Sequence, residues 1–252
     1  EFDIVVIGAG SGGSAAAGRL SEDGKYTVCL IEAGGGNTDI RVRAPGLFPF
    51  LPAKTNWKFD TVPQPGLNGR SGYQPRGKGL GGSSAINAMV YIRGSAWDYD
   101  NWAALGCEGW AYKDVLPYFK RSEGNVRGGD DYHGSDGPLT VSDQTHPNPG
   151  SLEFVEAGAS LQLPRNDDFN GPQFEGVGLY QVTQRRGERW TSARAYVEVN
   201  RDAGRLHVET GALVERVIFE NGRAVGVELV QGRSRKTIRA RRAVILAGGV
   251  FG

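Results

Sequence analysis

A glycine loop near the N-terminus has the residue types and the spacing that bind phosphate groups. Gly8, Gly10 and Gly13 in GAGSGG fit the pattern G-x-G-x-x-G and directly follow the β-branched run DIVVI. The first glycine of this pattern permits a tight turn, the second leaves room for a pyrophosphate, and the third lets a helix pack against its strand. The N–H groups at the start of that helix favour a negative charge. By itself the pattern is weak, because glycine-rich turns are common.

An acidic residue strengthens the phosphate-binding interpretation. Glu32 lies about 20 residues beyond the loop, where such proteins place a carboxylate that accepts hydrogen bonds from a ribose. It ends a second apolar run, YTVCLI, so that residues 3–32 predict a strand, a helix and a parallel strand. The sequence therefore predicts an ADP-containing dinucleotide as ligand. These residues leave open whether it is NAD or FAD.

A second glycine-rich stretch, GKGLGGSSAINAMVYIRG at residues 77–94, favours FAD. A long, buried flavin dinucleotide needs backbone approaches beyond the first loop, whereas one loop is enough for a nicotinamide enzyme. Main-chain N–H groups and hydroxyls around Gly82 can reach phosphate or ribityl oxygens, and residues 87–90 would then pass the flavin ring. The apolar residues that follow predict burial of this segment, where a flexible surface loop would be polar.

The sequence resembles the N-terminal part of the glucose-methanol-choline (GMC) oxidoreductases, which are FAD-dependent alcohol oxidases and dehydrogenases. The resemblance is carried by an ordered series of motifs that covers nearly the whole chain. They are DIVVIGAGSGGSAAAGRLSE, VCLIEAGG, NWKFDTVPQ, GKGLGGSSAINAMVYIRG, DNWAALGCEGWAYKDVLPYFKRSE, YHGSDGPL and ERWTSARAYV.

The resemblance implies cofactor-binding residues in addition to the three glycines of the first loop. They are Ser11 and Gly12 at the diphosphate, Glu32 and Ala33 at the adenosine ribose, Trp57 near the cofactor, Gly82, Asn87, Ala88, Met89 and Val90 along the path from the pyrophosphate to the flavin, and Val214 at the adenine. Some family members attach FAD covalently through a histidine directly before the asparagine. Ile86 stands at that position here, so we expect non-covalent FAD.

The predicted fold class is α/β, a Rossmann-like FAD-binding domain with a β-meander, together with part of an α+β substrate domain. The meander is predicted from two strands around the turn Asn221-Gly222 and a third at 237–240, followed by a separate return strand at 243–246. Helices are predicted within 98–120 and over 151–163. Residues 1–137 and 189–252 are assigned to the FAD-binding domain, and residues 138–188 begin the substrate domain. The crossover at 34–76, which is rich in Pro, Gly and Asn with isolated aromatic residues, is expected to be extended and anchored, in contrast to a disordered linker.

Composition excludes several other classes of protein. The formal net charge is +1 and basic residues are dispersed, so no nucleic-acid partner is predicted. No apolar run is long enough to span a bilayer. Cys29 and Cys107 are predicted to be buried free thiols, which favours a reducing compartment. The predicted location is cytoplasmic, with peripheral membrane association and a removed leader left open.

The sequence provides no residue to which catalysis can be assigned. Oxidising an alcohol through flavin N5 requires a base about 3 Å from the substrate oxygen, and histidine suits this role near neutral pH. His133, His146 and His207 are the only histidines, and each is interpreted as structural or solvated. In the family the catalytic histidine lies near the C-terminus of a chain roughly twice as long. No metal site is predicted.

The predicted function is FAD-dependent oxidation of an alcohol to an aldehyde or ketone by hydride transfer to flavin N5. Its expected partners are a small alcohol, O₂ or a quinone as electron acceptor, and the C-terminal remainder of the enzyme. Two alternatives stay within the resemblance. One is a hydroxynitrile lyase that binds FAD without using its redox chemistry, and the other is an inactive cofactor-binding fragment, poorly soluble alone. A simple NAD dehydrogenase is a third.

Overall fold

The computed structural model describes residues 1–251, with residues 201–203 described by their backbone only. In chain order the strands and α-helices are β1 (Phe2–Ile7), α1 (Ser11–Ser21), β2 (Val28–Glu32), α2 (Ile40–Arg43), β3 (Phe59–Asp60), β4 (Tyr73–Gln74), α3 (Ala96–Ala104), α4 (Tyr112–Ser122), β5 (Glu123–Asn125), β6 (Leu139–Val141), α5 (Pro149–Ser160), β7 (Gln184–Arg185), β8 (Glu188–Arg189), β9 (Leu206–Thr210), β10 (Ala212–Glu220), β11 (Arg223–Gln231) and β12 (Ser234–Leu246). Short 3₁₀ turns occupy Pro45–Phe50, Ala53–Thr55, Pro65–Leu67, Gly82–Ala85 and Glu198–Ala203, and Ala193–Val197 is a π-helical turn.

The chain divides into two compact units. The first consists of Glu1–Ala88 and the residues from Thr191 onward, and the second of Met89–Trp190. Residues 89–137, which the sequence analysis assigns to the FAD-binding domain, thus lie in the second unit. Within that unit β5 pairs in parallel with β6, which ties them to the residues that follow. The predicted three-part domain division remains a prediction.

The first unit is built on one mixed sheet with the strand order β10-β11-β12-β1-β2-β9. Strands β12, β1, β2 and β9 run parallel, and β10, β11 and the start of β12 form an antiparallel meander. Parallel strands with both faces covered are apolar on both sides, as the runs DIVVI and VCLI are. The predicted βαβ unit, hairpin and meander are confirmed.

Alternating side chains of the parallel strands enter two separate cores. Val6 and Leu30 pack on one face with Ala17 of α1 and Val197 of the π-helical turn. Val5 and Ile31 pack on the other face with Val227 of the meander. Helix α1 approaches the π-helical turn closely, since a Cβ at Gly18 would lie 2.5 Å from the carbonyl oxygen of Tyr196.

The two strands predicted at 237–240 and 243–246 are one continuous strand, β12. Residues 234–239 pair with β11, and from Ala240 onward the strand pairs with β1. The intervening residues Arg241 and Arg242 contain no turn signal, so the backbone stays extended while its partner changes. This strand connects the meander to the parallel part of the sheet.

The second unit is organised around a buried polar network. Arg93 Nη2 lies 2.5 Å from Glu123 Oε2, and both side chains are almost fully buried. His133 Nδ1 lies 3.0 Å from Glu123 Oε1, while its Nε2 lies 2.9 Å from Asp168 Oδ2. Asn125 donates to Glu123 Oε1 at 3.0 Å. Helices α3, α4 and α5 confirm the predicted helical segments, with α5 beginning at Pro149 because the side chain of Asn148 caps it.

Several burial predictions are wrong. Cys107 is exposed, whereas Cys29 is buried as predicted, and burial raises the pKa of its thiol to about 12. In the crossover, Phe48 and Phe50 are exposed. These aromatics lie in or beside short 3₁₀ turns at the surface, which the pattern of Pro, Gly and Asn did not reveal.

Candidate dinucleotide-binding site

The first glycine loop connects β1 to α1, and two of its glycines are required by packing. Gly8 has φ +94°, and a Cβ there would lie 2.5 Å from the carbonyl oxygen of Ala247. A Cβ at Gly13 would lie 1.8 Å from the carbonyl oxygen of Gly8. Gly8 therefore allows the turn and the approach of the chain after β12, and Gly13 lets α1 lie against the loop.

The remaining glycines of this loop face open space. A Cβ at Gly10 or at Gly12 would meet no heavy atom within 4 Å. Gly10 is the N-cap of α1, and no side chain caps the helix there. An uncapped helix N-terminus presents unsatisfied N–H donors and a partial positive charge. The fold thus leaves this end of α1 accessible to an anion.

Glu32 at the end of β2 is held by three backbone N–H groups. Its Oε2 accepts from Ala9 at 2.9 Å, and its Oε1 accepts from Gly34 at 2.8 Å and from Gly79 at 2.9 Å. The residue is only 6% exposed. A carboxylate has about four acceptor positions, so these three bonds leave capacity for one further donor, such as a ribose hydroxyl. Sequence reasoning predicted the ribose contact but missed that Glu32 joins three segments of backbone.

The second glycine stretch packs against the first loop. Gly81 N donates to Ala9 O at 2.8 Å, and a Cβ at Gly82 would lie 2.7 Å from Gly10 Cα. Two further glycines are equally confined. A Cβ at Gly77 would lie 2.0 Å from Gly82 O, and a Cβ at Gly34 would lie 2.3 Å from Gly79 N. The sequence analysis explained these glycines by the approach of a cofactor. Many of them are instead required because two backbone segments pack closely against each other.

Both glycine segments open into one cavity of about 520 Å³, within the size range of small-molecule sites. Its lining residues come from the first unit and are Ile7, Gly8, Gly10, Ser11, Gly12, Ile31, Glu32, Ala33, Trp57, Phe59, Arg76, Gly77, Gly82, Ser83, Ala212, Leu213, Val214, Ala247, Gly248, Gly249, Val250 and Phe251. The cavity is largely apolar, and its main polar features are the α1 N-terminus, the Glu32 carboxylate and the Arg76 guanidinium. This combination suits a ligand with both an anionic group and a flat apolar group.

The structure brings together most of the residues that the sequence analysis singled out. Lining the cavity are Gly8, Gly10, Ser11, Gly12, Glu32, Ala33, Trp57, Gly82 and Val214. Gly13 is behind the loop and does not line it. Asn87 and Ala88 belong to the first unit but are not among its lining residues either. Sequence reasoning missed the wall formed by Phe59, Arg76 and Phe251, although the aromatic residues of the crossover were a signal for it.

Met89 and Val90 belong to the second unit. Met89 is buried, has a left-handed backbone at φ +64°, and accepts the N–H of Thr183 at 2.8 Å. The predicted burial of this run is wrong for Ala88, Val90 and Ile92, which are exposed. Tyr91 N donates to Gln181 O at 2.9 Å and Val90 forms an isolated bridge with Val182, while burial alternates along residues 88–92.

The histidines are placed as structural or surface residues. His133 belongs to the buried network of the second unit, where the hydrogen bond to Glu123 raises its pKa. His207 is on β9, stacks on Phe2 and contacts Glu209 Oε1 at 2.8 Å. His146 lies exposed in a bend. None of these histidines lines the cavity.

The structure describes residues 1–251, and two further features are absent from this part of the chain. No group of His, Cys, Asp and Glu side chains within this part of the chain is arranged to hold a metal ion. Within the same part, every helix is too short or too polar to cross a membrane.

The sheet, the glycine loop at the start of α1 and the carboxylate at the end of β2 together define a Rossmann-like dinucleotide-binding protein. A sequence profile described as GMC oxidoreductase matches residues 2–252. The chain therefore belongs to the GMC oxidoreductase family and represents its N-terminal, FAD-binding region. The resemblance inferred from the motifs is confirmed.

Individual relatives support the same assignment. The chain is 46% identical over 249 residues to the oxygen-dependent choline dehydrogenase of Brucella anthropi, covering 98% of this chain and 45% of that protein. Its fold matches the crystal structure of pyridoxine 4-oxidase from Mesorbium loti with a TM-score of 0.93 and 36% identity, covering 99% and 50% of the two chains. An FAD-dependent oxidoreductase from Chaetomium thermophilum matches with a TM-score of 0.91 and 29% identity, covering 99% and 46%. The chain spans about half the length of the relatives that it matches.

Proposed function

We propose that this chain forms the FAD-binding part of an enzyme that oxidises an alcohol to an aldehyde or ketone. The observation that carries the proposal is the cavity in which the uncapped N-terminus of α1 and the carboxylate of Glu32 share one wall. A dinucleotide presents a diphosphate to the first and a ribose hydroxyl to the second. Family membership supports FAD as the dinucleotide.

The residues present fit such a ligand. Gly10 and Gly12 leave the space that any side chain would fill, and Glu32 retains one acceptor position. We assign Gly8, Gly10, Ser11, Gly12 and Gly13 to the diphosphate loop. Glu32 and Ala33 are assigned to the ribose, Trp57 to the cofactor's flank and Val214 to the adenine. Gly82, Asn87, Ala88, Met89 and Val90 are assigned to the path towards the flavin ring.

The cofactor is bound without a covalent link in this proposal. Ile86 occupies the position at which a linking histidine would stand, and an isoleucine side chain has no nucleophilic atom. Retention of the cofactor then depends on backbone donors, the Glu32 carboxylate and burial of the flat rings against apolar residues.

Bound FAD supplies the hydride acceptor, and this chain holds and orients it. The base that removes the hydroxyl proton is assigned to the portion of the relatives' length that this chain does not span. His133 and His207 support this assignment, because both are engaged by carboxylates and neither lines the cavity. Residues 1–137 and 189–252 are proposed as FAD-binding domain, and residues 138–188 as the beginning of the substrate domain.

The substrate proposed is a small alcohol, and the electron acceptor is O₂ or a quinone. The names of the relatives support this class, since choline and pyridoxine both carry hydroxyl groups. The proposed compartment is the cytoplasm, which suits two free thiols of which one is exposed.

The test is a spectrum and a redox titration of the intact purified protein. We expect an absorption band of flavin at about 450 nm and release of FAD into the supernatant on acid precipitation. The band should bleach when an alcohol is added in the absence of air. Riboflavin offered to the apoprotein is the control, because it lacks the diphosphate and adenosine. Failure to retain FAD would refute the proposal. Turnover with the flavin constantly oxidised would instead indicate the lyase reaction.

A further inference from the structure

Arg76 is the one basic side chain among the described residues that line the cavity, and Glu32 is the one acidic side chain. The Glu32 carboxylate already accepts three backbone N–H groups. Each phosphate of a dinucleotide carries a negative charge at neutral pH. The helix N-terminus offsets part of this charge, and a guanidinium is the side chain best suited to the remainder.

The backbone of Arg76 is anchored beside the cavity. Its N–H donates to the side chain of Asn56 at 3.1 Å, and its carbonyl oxygen accepts the N–H of Trp57 at 2.8 Å. The next residue, Gly77, packs directly against Gly82 of the second glycine stretch. Arg76 is therefore fixed at the point where the crossover meets the glycine segments.

The guanidinium retains donors for a ligand. Its central carbon lies 4.7 Å from the centre of the Phe251 ring, and Nη1 donates to the carbonyl oxygen of Pro75 at 2.7 Å. A guanidinium has five N–H donors, so the contact with Pro75 leaves donors over. Among side chains that the structure describes, no carboxylate forms an ion pair with it.

The Phe251 ring that contacts this charge belongs to a group of aromatic rings, and Arg76 is half-buried. The Trp57 and Phe59 rings stack at 5.8 Å, and Phe59 meets Phe251 edge-on at 5.6 Å. Lys78 lies over the Trp57 ring at 4.2 Å and does not line the cavity. The two neighbouring cations therefore differ, since only Arg76 is placed to meet a ligand in the cavity.

We propose that Arg76 binds the diphosphate of the dinucleotide, as a side-chain partner in addition to the backbone donors of the glycine loop. The inference rests on the proposed function and adds a residue to it. The guanidinium and the Phe251 ring that it contacts both line the cavity, so the remaining N–H donors of Arg76 can act as a specific phosphate ligand.

The experiment compares Arg76→Gln, Arg76→Lys and the matched control Lys78→Gln in the intact protein freed of its cofactor. Affinities for ADP and for adenosine are measured by calorimetry at two salt concentrations. Because charge-assisted hydrogen bonds are strong, we expect Arg76→Gln to weaken ADP binding by about ten- to a hundredfold and to leave adenosine binding unchanged. Arg76→Lys should recover part of the loss, and Lys78→Gln should bind ADP like the parent protein.

Two results would overturn the inference. One is unchanged ADP affinity in Arg76→Gln, and the other is an equal loss for ADP and adenosine, which would assign Arg76 a purely structural role through Phe251. Thermal unfolding of each variant shows whether it is folded. If Arg76→Gln does not fold, the ADP affinity of Arg76→Lys is compared with that of the parent protein. If the parent protein binds neither FAD nor ADP, the proposed function fails whatever Arg76 does. If the parent binds both and Arg76→Gln binds equally well, only the present inference fails.

Discussion

The carboxylate of Glu32 accepts a hydrogen bond from the backbone N–H of Gly79, which lies 47 residues further along the chain, at 2.9 Å. The same side chain accepts from Ala9 in the first glycine loop and from Gly34 directly after β2. One residue therefore fixes three segments around the cavity. A ligand that used its remaining acceptor position would be coupled to the geometry of both glycine segments.

Glu32→Gln should weaken both the fold and cofactor binding. The amide replaces one acceptor oxygen by an NH₂ group, which would face N–H donors in a buried position. Leaving buried donors unsatisfied costs about 1–3 kcal/mol. Urea unfolding of the first unit and FAD titration of the apoprotein measure the two effects. Glu22→Gln is the control, because Glu22 is an exposed residue at the C-cap of α1 and pairs with Arg19. A loss of equal size there would contradict the role given to Glu32.

Gly12→Ala and Gly13→Ala should separate cofactor binding from folding. A methyl group at Gly13 would meet the carbonyl oxygen of Gly8 at 1.8 Å, so we expect a loss of about 3 kcal/mol or more. A methyl group at Gly12 meets nothing within 4 Å and projects into open space, so the fold should be retained while FAD affinity falls. Thermal unfolding and FAD titration distinguish the pair. The interpretation would be wrong if Gly13→Ala folded as well as Gly12→Ala.

His133 should make the stability of the second unit depend on pH. The hydrogen bond to Glu123, reinforced by Asp168, raises the pKa of His133 above its ordinary value. A raised folded-state pKa contributes stability that is fully present below the unfolded-state value of about 6.5 and is lost as pH rises through the folded-state pKa. The unfolding free energy should therefore fall as pH rises from about 6.5 through the raised folded-state pKa, and His133→Gln should flatten this part of the profile. His146→Gln, which changes an exposed histidine, should leave the profile as it is.

The pair of Arg93 and Glu123 allows a test of the buried network. Arg93→Met should destabilise the second unit by about 3–5 kcal/mol, because it removes the guanidinium that pairs with a fully buried carboxylate. The double variant Arg93→Met with Glu123→Gln should recover part of that loss, since the unpaired charge is then gone. Urea unfolding of the single and double variants measures both values. Additive losses in the double variant would show that the two side chains do not stabilise each other.

The regular elements could be predicted because their signals are local. The run DIVVI, the turn Asn221-Gly222 and the spacing of apolar residues in α5 each depend on neighbours within a few residues. The predicted strand break between 240 and 243 is wrong because no local signal decides it. Continuation of β12 is decided by its partners, β11 and then β1, and those partners are distant in sequence.

Exposure was harder to predict, because it depends on what covers a residue. Cys107 has small neighbours and Phe50 is itself apolar. Both are nevertheless exposed, because no element packs over them within the described structure. Residues 88–92 look like a buried apolar run, but burial alternates along them, with Met89 buried and Ala88, Val90 and Ile92 exposed. Only the pairing of Tyr91 with Gln181, far along the chain, reveals this alternation.

The sequence by itself determined the family, the βαβ unit and the first glycine loop with its carboxylate, since motif order and local spacing carry that information. The tertiary structure alone decided why the glycines are needed. Gly8 and Gly13 serve close packing, Gly10 and Gly12 face the cavity, and Gly82 meets Gly10 across a long stretch of chain. It also decided that Arg76 joins the cavity wall whereas Lys78 turns onto Trp57. The reason is physical: a sequence specifies which groups are available, but backbone contacts and side-chain directions arise only when distant segments pack together.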